Sequence, residues 1–409
     1  MNKPVVIVGA GQAAASFASR HIRLDNKAEL HLIGEEPLPP YQRPPLSKKY
    51  MSGELDRERL FIRPPQWYSE QGITTHFGTR VNAIERDAKR VETSNGEKFD
   101  YDKLVLCTGS SPRTLPAAIG GSLRGVYTLR NIADVEAMSP EFLPGRRLLI
   151  IGGGYIGLEA AAVARKLGLE VILLEMAERI LQRVAASETS DFFRRLHQSH
   201  GVDIRESTQL THLLEDSGHV LGAELANGEQ IQADLVLVGI GASPNSELAG
   251  QAGLDCDNGI VVNEKCQTSD RHIYAAGDCV SFVRNGRRIR LESVQNAADQ
   301  GDLIARVIAG EELSYTALPW FWSDQYDCKL QIAGLNIGYT QTVLRAGVKP
   351  EGQSVWYYSD DRLIAVDAMS DPLAYAMGRK IIGAGLHPTP QQIADSSVDL
   401  KSLAKLSAS

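Results

Sequence analysis

Apolar and polar positions near the start of the chain predict strands that are buried on both faces. Four consecutive apolar residues, Val5–Val8, predict a strand of this kind. The alanine-rich segment after them predicts a helix, and a second apolar run, Leu30–Ile33, predicts a strand that leads to Glu35. This order of strand, helix and strand is typical of a parallel α/β sheet.

The same pattern occurs a second time. Leu148–Ile151 predicts a buried strand, a helix follows, and Val171–Leu174 predicts a strand that leads to Glu175. The two copies also close alike, because FDYDKLVLCTGSSPR, which ends at Arg113, resembles IQADLVLVGIGASPN, which ends at Asn245. We therefore expect two structurally similar units in one chain.

Each copy has a glycine-rich turn between its first strand and its helix. The small residues at matching positions are Gly9, Gly11 and Ala14 in the first copy and Gly152, Gly154 and Gly157 in the second. At this spacing the first residue permits a tight turn, the second lets backbone approach a pyrophosphate, and the third lets the helix pack on the strand. Phosphates bind well at a helix N-terminus, and Glu35 or Glu175 can accept hydrogen bonds from a ribose. Two dinucleotide sites in one chain suggest a flavin and a nicotinamide.

The last quarter of the chain has a different pattern. The segments LQIAGLN, SVWYYSD and RLIAVDAM alternate between apolar and polar positions and end in turns, which predicts an antiparallel sheet. A helix is expected near Arg379 to Gly385. The C-terminal part should therefore be an α+β domain.

Composition narrows the possible classes of protein. The chain has 409 residues, 43% of them hydrophobic, and a formal net charge of -7, which argues against nucleic-acid binding. No apolar run approaches the roughly 20 residues that span a bilayer, so we expect no membrane segment. The five cysteines form no Cys-x-x-Cys pair. They favour neither disulfides nor a metal site, and they are typical of a reducing, cytoplasmic location.

A further segment indicates which copy binds which dinucleotide. TSDRHIYAAGD, which includes Gly277 and ends at Asp278, resembles the second FAD signature of two-dinucleotide flavoproteins, in which the aspartate binds the ribityl chain. Because this segment follows the second copy, the first unit must continue after it. We expect an α/β protein with a Rossmann-like FAD-binding domain at 1–108 and 242–318, an inserted NADH-binding domain at 109–241, and a C-terminal domain at 319–409 that contributes to the flavin cover.

With these features the chain resembles the FAD-dependent ferredoxin reductases of the putidaredoxin reductase type. The most specific segments are PPLSK, ending at Lys48, GGGYIGLE, ending at Glu159, ESV, ending at Val294, and PWFWSDQY, ending at Tyr326. The likeness covers nearly the whole chain. Such reductases serve haem monooxygenases and Rieske-type, ring-hydroxylating dioxygenases.

The resemblance implies two sets of cofactor-binding residues. The expected FAD contacts are Gly9, Gly11, Ala13, Ala14, Glu35, Arg43, Lys48, Val81, Arg130, Gly277, Asp278, Val294 and Trp320. The expected NADH contacts are Gly152, Gly153, Gly154, Tyr155, Ile156, Gly157, Glu159, Glu175 and Gly241. The resemblance implies no metal site.

Some of these residues have expected roles near the reacting rings. The resemblance implies that Lys48, paired with Glu159, lies near the reactive end of the isoalloxazine and that Tyr155 is a gate over the flavin. Trp320 would cover the flavin face nearest the protein acceptor. Glu175 should favour NADH, because its carboxylate suits a ribose diol and repels a 2'-phosphate.

The function implied is transfer of a hydride from NADH to FAD and then of single electrons to a two-iron ferredoxin. Related enzymes that reduce disulfides carry a redox-active cysteine pair beside the flavin, and peroxide-forming relatives use one cysteine shortly after the first acidic residue. This chain has Gln42, Arg43, Pro44 and Pro45 there. Two alternatives are a reductase of rubredoxin or a small molecule, and an NADH-sensing flavoprotein similar to apoptosis-inducing factor.

The ferredoxin is expected to be acidic and to dock near Trp320 on a local basic surface. The candidate cations are Arg284, Arg287, Arg288, Arg290, Lys329, Arg379 and Lys380. For the first four, a solvated hairpin around Asn285-Gly286 is an equally good interpretation.

Overall fold

The structure is a computed structural model that describes residues 4–25 and 28–405. Its strands are β1 (Val5–Val8), β2 (Leu30–Gly34), β3 (Ile73–Phe77), β4 (Val81–Glu85), β5 (Arg90–Thr93), β6 (Lys98–Asp100), β7 (Lys103–Leu106), β8 (Ser110–Pro112), β9 (Val126–Tyr127), β10 (Arg147–Ile151), β11 (Glu170–Leu174), β12 (Val202–Arg205), β13 (Leu210–Asp216), β14 (His219–Leu225), β15 (Gln230–Gln232), β16 (Leu235–Val238), β17 (Ala242–Pro244), β18 (Ile260–Val262), β19 (Ile273–Ala275), β20 (Val280–Arg284), β21 (Arg287–Ile289), β22 (Trp320–Gln325), β23 (Cys328–Gly334), β24 (Gln341–Ala346), β25 (Gln353–Ser359) and β26 (Arg362–Met369).

The helices are α1 (Gln12–Arg23), α2 (Pro65–Glu70), α3 (Ile132–Met138), α4 (Tyr155–Lys166), α5 (Ser187–Ser199), α6 (Glu247–Gln251), α7 (Val294–Ile308), α8 (Pro372–Gly383), α9 (Pro390–Ala394) and α10 (Leu400–Leu403). Short 3-10 turns add Pro44–Ser47, Arg57–Leu60, Ala117–Ile119 and Ser139–Glu141. No helix of the described residues is both long and apolar enough to cross a membrane.

The chain divides into two compact units. The first contains residues 1–43, 55–111 and 242–317, and the second contains residues 44–54, 112–241 and 318–409. The second unit therefore groups segments that the sequence analysis assigns to separate NADH-binding and C-terminal domains, and it includes residues 44–54 as well. The three-domain division stays a prediction.

The first unit is built on a parallel sheet. Its five strands have the order β19-β7-β1-β2-β3, and every neighbouring pair is parallel. The apolar run predicted for β1 is buried on both faces of this sheet. Helix α1 packs against α7 so closely that a side chain at Gly301 would collide with the carbonyl oxygen of Ala13.

The second unit contains a parallel sheet of the same type and an antiparallel sheet. The parallel sheet has the order β12-β11-β10-β16-β9, and the antiparallel sheet has the order β22-β23-β26-β25-β24. Trp356, Tyr357 and Tyr358 of β25 are fully buried. The predicted fold class, two Rossmann-like modules and a C-terminal antiparallel sheet, is confirmed.

One predicted helix is displaced along the chain. Helix α8 begins at Pro372 rather than near Arg379, because the Asp371 side chain accepts a hydrogen bond from the Ala374 backbone and proline occupies the first helical position. It ends at Gly383, which places Arg379 and Lys380 in its exposed last turns.

Candidate functional site

The first glycine turn forms an open cradle in the first unit. Gly9 has a φ of +104°, and a side chain there would lie 2.2 Å from the carbonyl oxygen of Cys107, so only glycine fits. At Gly11 an added Cβ would meet nothing within 4 Å. Helix α1 begins directly after Gly11 with no side-chain cap and no acidic residue in its first turn. Its N-terminal N–H groups are thus accessible to a pyrophosphate.

An acid and a cation flank this cradle in the sequence. Glu35 follows β2, its side chain is 68% exposed, and it contacts Arg80 at 3.1 Å. The Arg43 guanidinium donates to Glu36 at 2.7 Å and to the hydroxyl of Tyr41 at 3.0 Å. Sequence reasoning did not identify Glu36, although it holds the predicted phosphate-binding arginine in place.

The predicted ribityl-binding aspartate follows β19 in the same unit. Ser110 donates a hydrogen bond to the Asp278 carboxylate at 3.1 Å. The preceding residue, Gly277, has a φ of +87° and its N–H donates to Gln300. Val294 begins helix α7, and Val81 begins β4. The first unit therefore holds ten of the predicted FAD contacts, which are Gly9, Gly11, Ala13, Ala14, Glu35, Arg43, Val81, Gly277, Asp278 and Val294.

The second glycine turn repeats this geometry in the second unit. Gly152 has a φ of +111°, and an added Cβ would lie 2.4 Å from the carbonyl oxygen of Gly239. Gly154 faces open space, and α4 begins after it with no side-chain cap and no acidic residue in its first turn. A Cβ at Gly157 would lie 2.2 Å from the carbonyl oxygen of Gly152, which explains the close helix packing. The residues fit a second dinucleotide.

The carboxylate of Glu175 is fixed beside this turn. It accepts hydrogen bonds from the backbone N–H groups of Gly153 and Ala177, each at 2.8 Å. Arg179, which could have balanced a 2'-phosphate, instead donates to Ser190 at 2.5 Å. Gly241, with a φ of +104°, lies near the guanidinium of Arg183. The oriented carboxylate suits the free diol of an NADH ribose.

Lys48 and Glu159 form a partly buried ion pair. The ammonium group of Lys48 lies 2.6 Å from Glu159 Oε2, and the exposed fractions of the two side chains are 17% and 6%. Ser47 donates to the same oxygen at 2.5 Å, and Ser323 donates to Glu159 Oε1 at 2.6 Å. Glu159 is thus held by three side-chain donors. Sequence reasoning identified the lysine but neither serine.

Tyr155 lies at the start of α4, beside the C-terminal sheet. Its ring is 4.9 Å from that of Phe321, and its buried hydroxyl has no hydrogen-bond partner among the described residues. Burial, with the nearby carboxyl groups of Asp367 and Glu159, raises the pKa of Tyr155 well above its ordinary value. The neighbouring Ile156 is exposed. The Tyr155 hydroxyl therefore keeps its proton at physiological pH.

Strand β22 presents two different faces because its side chains alternate. Ser323 and Gln325 are fully buried on one face. On the other, the half-buried rings of Trp320 and Trp322 are 5.5 Å apart. The guanidinium of Arg379 lies over the Trp320 ring, 5.7 Å from its centroid. Arg130, which is the third predicted FAD contact in this unit after Lys48 and Trp320, precedes α3, and its backbone N–H donates to Asp134.

None of the five cysteines is paired, and four are buried. Burial raises the pKa of Cys107 well above its ordinary value, raises that of Cys279 as well, and raises that of Cys328 to about 11. Thiols with raised pKa values are poor nucleophiles at neutral pH. The geometry thus provides two dinucleotide cradles without a reactive dithiol, which defines a flavin- and nicotinamide-dependent oxidoreductase.

Comparison with known families agrees with this class. Residues 3–301 match the family described as pyridine nucleotide-disulphide oxidoreductase, and residues 320–404 match the reductase C-terminal family. The chain belongs to the pyridine nucleotide-disulphide oxidoreductase family.

Individual relatives are similar over almost the whole chain. Putidaredoxin reductase of Pseudomonas putida is 41% identical over 408 residues, which cover 98% of this chain and 97% of that protein. The ferredoxin–NAD(+) reductase component of the anthranilate 1,2-dioxygenase system of Burkholderia cepacia is also 41% identical, with 97% of this chain and 98% of that protein covered. The solved covalent complex of putidaredoxin reductase with putidaredoxin matches with a TM-score of 0.95, at 41% identity and 98% coverage of each chain. The predicted resemblance is confirmed.

Proposed function

We infer that this protein is an NADH-dependent ferredoxin reductase that contains FAD and supplies electrons to an oxygenase. The observation that carries the inference is the similarity, at 41% identity over 98% of this chain, to a reductase solved in covalent complex with putidaredoxin. The two open glycine cradles fit the two dinucleotides that this activity requires. When bound, the flavin accepts a hydride from NADH and releases electrons singly to a one-electron acceptor.

The residues of the first unit bind and orient the flavin. The N-terminus of α1 and the guanidinium of Arg43 supply positive charge for the pyrophosphate, while the carboxylates of Glu35 and Asp278 accept hydrogen bonds from sugar and ribityl hydroxyls. No covalent bond from the protein is needed to hold it. The FAD should therefore be tight but extractable.

The residues of the second unit bind NADH and orient its nicotinamide end. The N-terminus of α4 and the Glu175 carboxylate hold the pyrophosphate and ribose, and the exposed Ile156 offers apolar contact to the nicotinamide. Tyr155, at the start of α4, would be the gate over the bound flavin. The Lys48 ammonium, fixed by Glu159, would supply positive charge to the bound flavin ring.

Trp320 and the cations beside it form the docking surface for the ferredoxin. Arg379 covers the Trp320 ring, and Lys380 is its exposed neighbour in α8. In the RNGRRIR hairpin, by contrast, Arg284 donates to a backbone carbonyl, Arg288 pairs with Asp257 and Arg290 with a glutamate. Arg379 and Lys380 of α8 are therefore the better candidates for the cations that bind the ferredoxin. Acidic faces of ferredoxins would be steered to it by complementary charge.

The thiols support a proposal about the cellular setting. All five cysteines are unpaired, which suits a compartment that keeps thiols reduced. We place the protein in the cytoplasm, upstream of a haem monooxygenase or Rieske-type dioxygenase.

Anaerobic mixing of the FAD-loaded protein with NADH and candidate acceptors tests the function. A two-iron ferredoxin should be reduced much faster than a rubredoxin or a quinone. Preference for rubredoxin or quinone would assign the chain to the alternative reductases. Flavin reduction followed by slow reoxidation with every acceptor would favour the NADH sensor.

Charge reversal locates the docking surface. The double substitution Arg379→Glu, Lys380→Glu should slow ferredoxin reduction at low ionic strength by about tenfold or more and should leave NADH reduction of the flavin unchanged. The matched control is Arg287→Glu, Arg288→Glu in the hairpin. If the control slows ferredoxin reduction more than the α8 variant does, the docking surface lies on the hairpin.

A further inference from the structure

A row of hydrogen bonds leads from Glu159 to the surface of the second unit. Ser323 donates to Glu159 Oε1 at 2.6 Å, and the amide nitrogen of Gln325 donates to the Ser323 hydroxyl oxygen at 3.2 Å. The amide oxygen of Gln325 lies 2.8 Å from His197 Nε2, and His197 Nδ1 lies 3.2 Å from the hydroxyl of Tyr326. We call these residues the Glu159 chain.

The hydrogen bonds of the Glu159 chain can run in only one consistent direction. A carboxylate only accepts hydrogen bonds, so the Ser323 hydroxyl must donate to Glu159 and its oxygen is left to accept from Gln325. The Gln325 oxygen then requires a proton on His197 Nε2, which leaves Nδ1 to accept from Tyr326. Every donor therefore points toward Glu159.

The surroundings keep this direction. Ser323, Gln325 and His197 are fully buried, and Glu159 is buried as well. Burial lowers the pKa of His197 to about 4, with His200 adding to that effect, so the imidazole is neutral at pH 7. Tyr326 forms the hairpin turn after β22 with a φ of +56°, and its ring stacks on exposed His200 at 3.7 Å. Packing against His200 thus holds Tyr326, the residue at the surface end of the Glu159 chain.

We propose that Gln325 and His197 are positioning residues that fix the Glu159 carboxylate, and through it the ammonium group of Lys48. The inference deepens the proposed function, because it rests on Lys48 acting beside the reacting rings. Aligned hydrogen bonds polarise one another, so the neutral residues of the chain stabilise the carboxylate without adding a competing charge. If Gln325 is lost, the Ser323 hydroxyl is free to rotate away from Glu159 and the ion pair loses its fixed geometry.

Variants at His197 separate positioning from simple packing. His197→Phe removes the donor, whereas His197→Gln keeps an N–H near the position of Nε2. Gln325→Met removes the amide at similar volume. The matched control is Tyr358→Phe, which removes a hydrogen bond from an equally buried side chain of the same unit to the carbonyl of Pro388.

The first readout is the rate at which NADH reduces bound FAD, measured anaerobically without ferredoxin. His197→Phe and Gln325→Met should lower this rate about tenfold, because each frees the Ser323 hydroxyl and so weakens the one hydrogen bond of the row that reaches the charged Glu159 carboxylate. His197→Gln should restore most of it, and Tyr358→Phe should stay within about twofold of wild type. Equal rates in folded His197→Phe and wild type would overturn the proposal.

The second readout does not depend on activity. Nitrogen-15 NMR of labelled histidines should show His197 as a neutral ring protonated on Nε2 at pH 7, and Gln325→Met should remove that preference. A ring protonated on Nδ1 in wild type would overturn the proposal. If the flavin and NMR results hold but no ferredoxin is reduced, the proposed function fails and the Glu159 chain stands.

Discussion

Buried His197 makes the second unit sensitive to mild acid. Its pKa is lowered from 6.5 to about 4 by burial, so the unfolded chain takes up a proton on this residue at a pH where the folded protein does not. The unfolded state therefore gains stability as the pH falls from about 6.5 toward 4. At about 1.4 kcal/mol for each unit of pKa difference, lowering the pH from about 7.5 to about 5 should cost the folded state roughly 2 kcal/mol through His197.

Asp367 acts in the opposite direction. Burial raises its pKa to about 6, above the ordinary 3.8, so the folded state binds the proton first and gains stability as the pH falls. Over the same interval this gain is about 1.4 kcal/mol, which masks a large part of the His197 effect in wild type. The His197 contribution must therefore be measured as a difference between wild type and His197→Gln, in which the titrating group is absent.

Urea unfolding of both proteins, followed by tryptophan fluorescence, measures this difference. Three of the four tryptophans, Trp320, Trp322 and Trp356, lie in the second unit. The stability of His197→Gln relative to wild type should rise by roughly 2 kcal/mol between about pH 7.5 and pH 5. For Tyr358→Phe the corresponding difference should be constant over this range. A constant difference for His197→Gln as well would refute the claim that His197 is buried and neutral.

Further outcomes are expected for the cofactors and thiols. Glu175→Gln should narrow the preference for NADH over NADPH by about tenfold or more. The reason is that repulsion between a carboxylate and a nearby 2'-phosphate costs roughly 3 kcal/mol at an effective dielectric constant of 20. Comparable kcat/KM values for both cofactors in wild type would contradict this. Replacement of all five cysteines should leave NADH reduction of the flavin intact, and loss of that reduction in a folded Cys107 or Cys279 variant would place a thiol on the electron path. Denaturation should release FAD from the chain, and flavin that stays attached, or FMN in its place, would show that the binding mode is wrong.

The parts of the site that could be predicted from sequence are those encoded by local spacing. The glycine turns follow directly from the strand, the spacing of three small residues and the helix after them, and their backbone geometry repeats at Gly9 and Gly152. The pairing of Lys48 with Glu159 was an expectation of the resemblance, and the structure contains the ion pair.

The Glu159 chain could not be predicted in this way, because its links join distant parts of the sequence. His197 and Gln325 are separated by 128 positions, and Ser323 and Glu159 by 164. The segment WFWSDQ shows aromatic and polar residues on both faces of its strand, so alternation alone does not indicate which face meets α4. The predicted position of helix α8 was too far along the chain, because the prediction did not use the helix start signal of Asp371 and Pro372.

Electron counting tests the central claim most directly. The FAD-loaded protein is mixed anaerobically with limiting NADH and an excess of oxidised two-iron ferredoxin, and the reduced ferredoxin is counted from its visible absorbance. Because NADH supplies two electrons and each ferredoxin takes one, the account predicts about two ferredoxins reduced for each NADH oxidised. Complete oxidation of NADH with the ferredoxin left oxidised would contradict it.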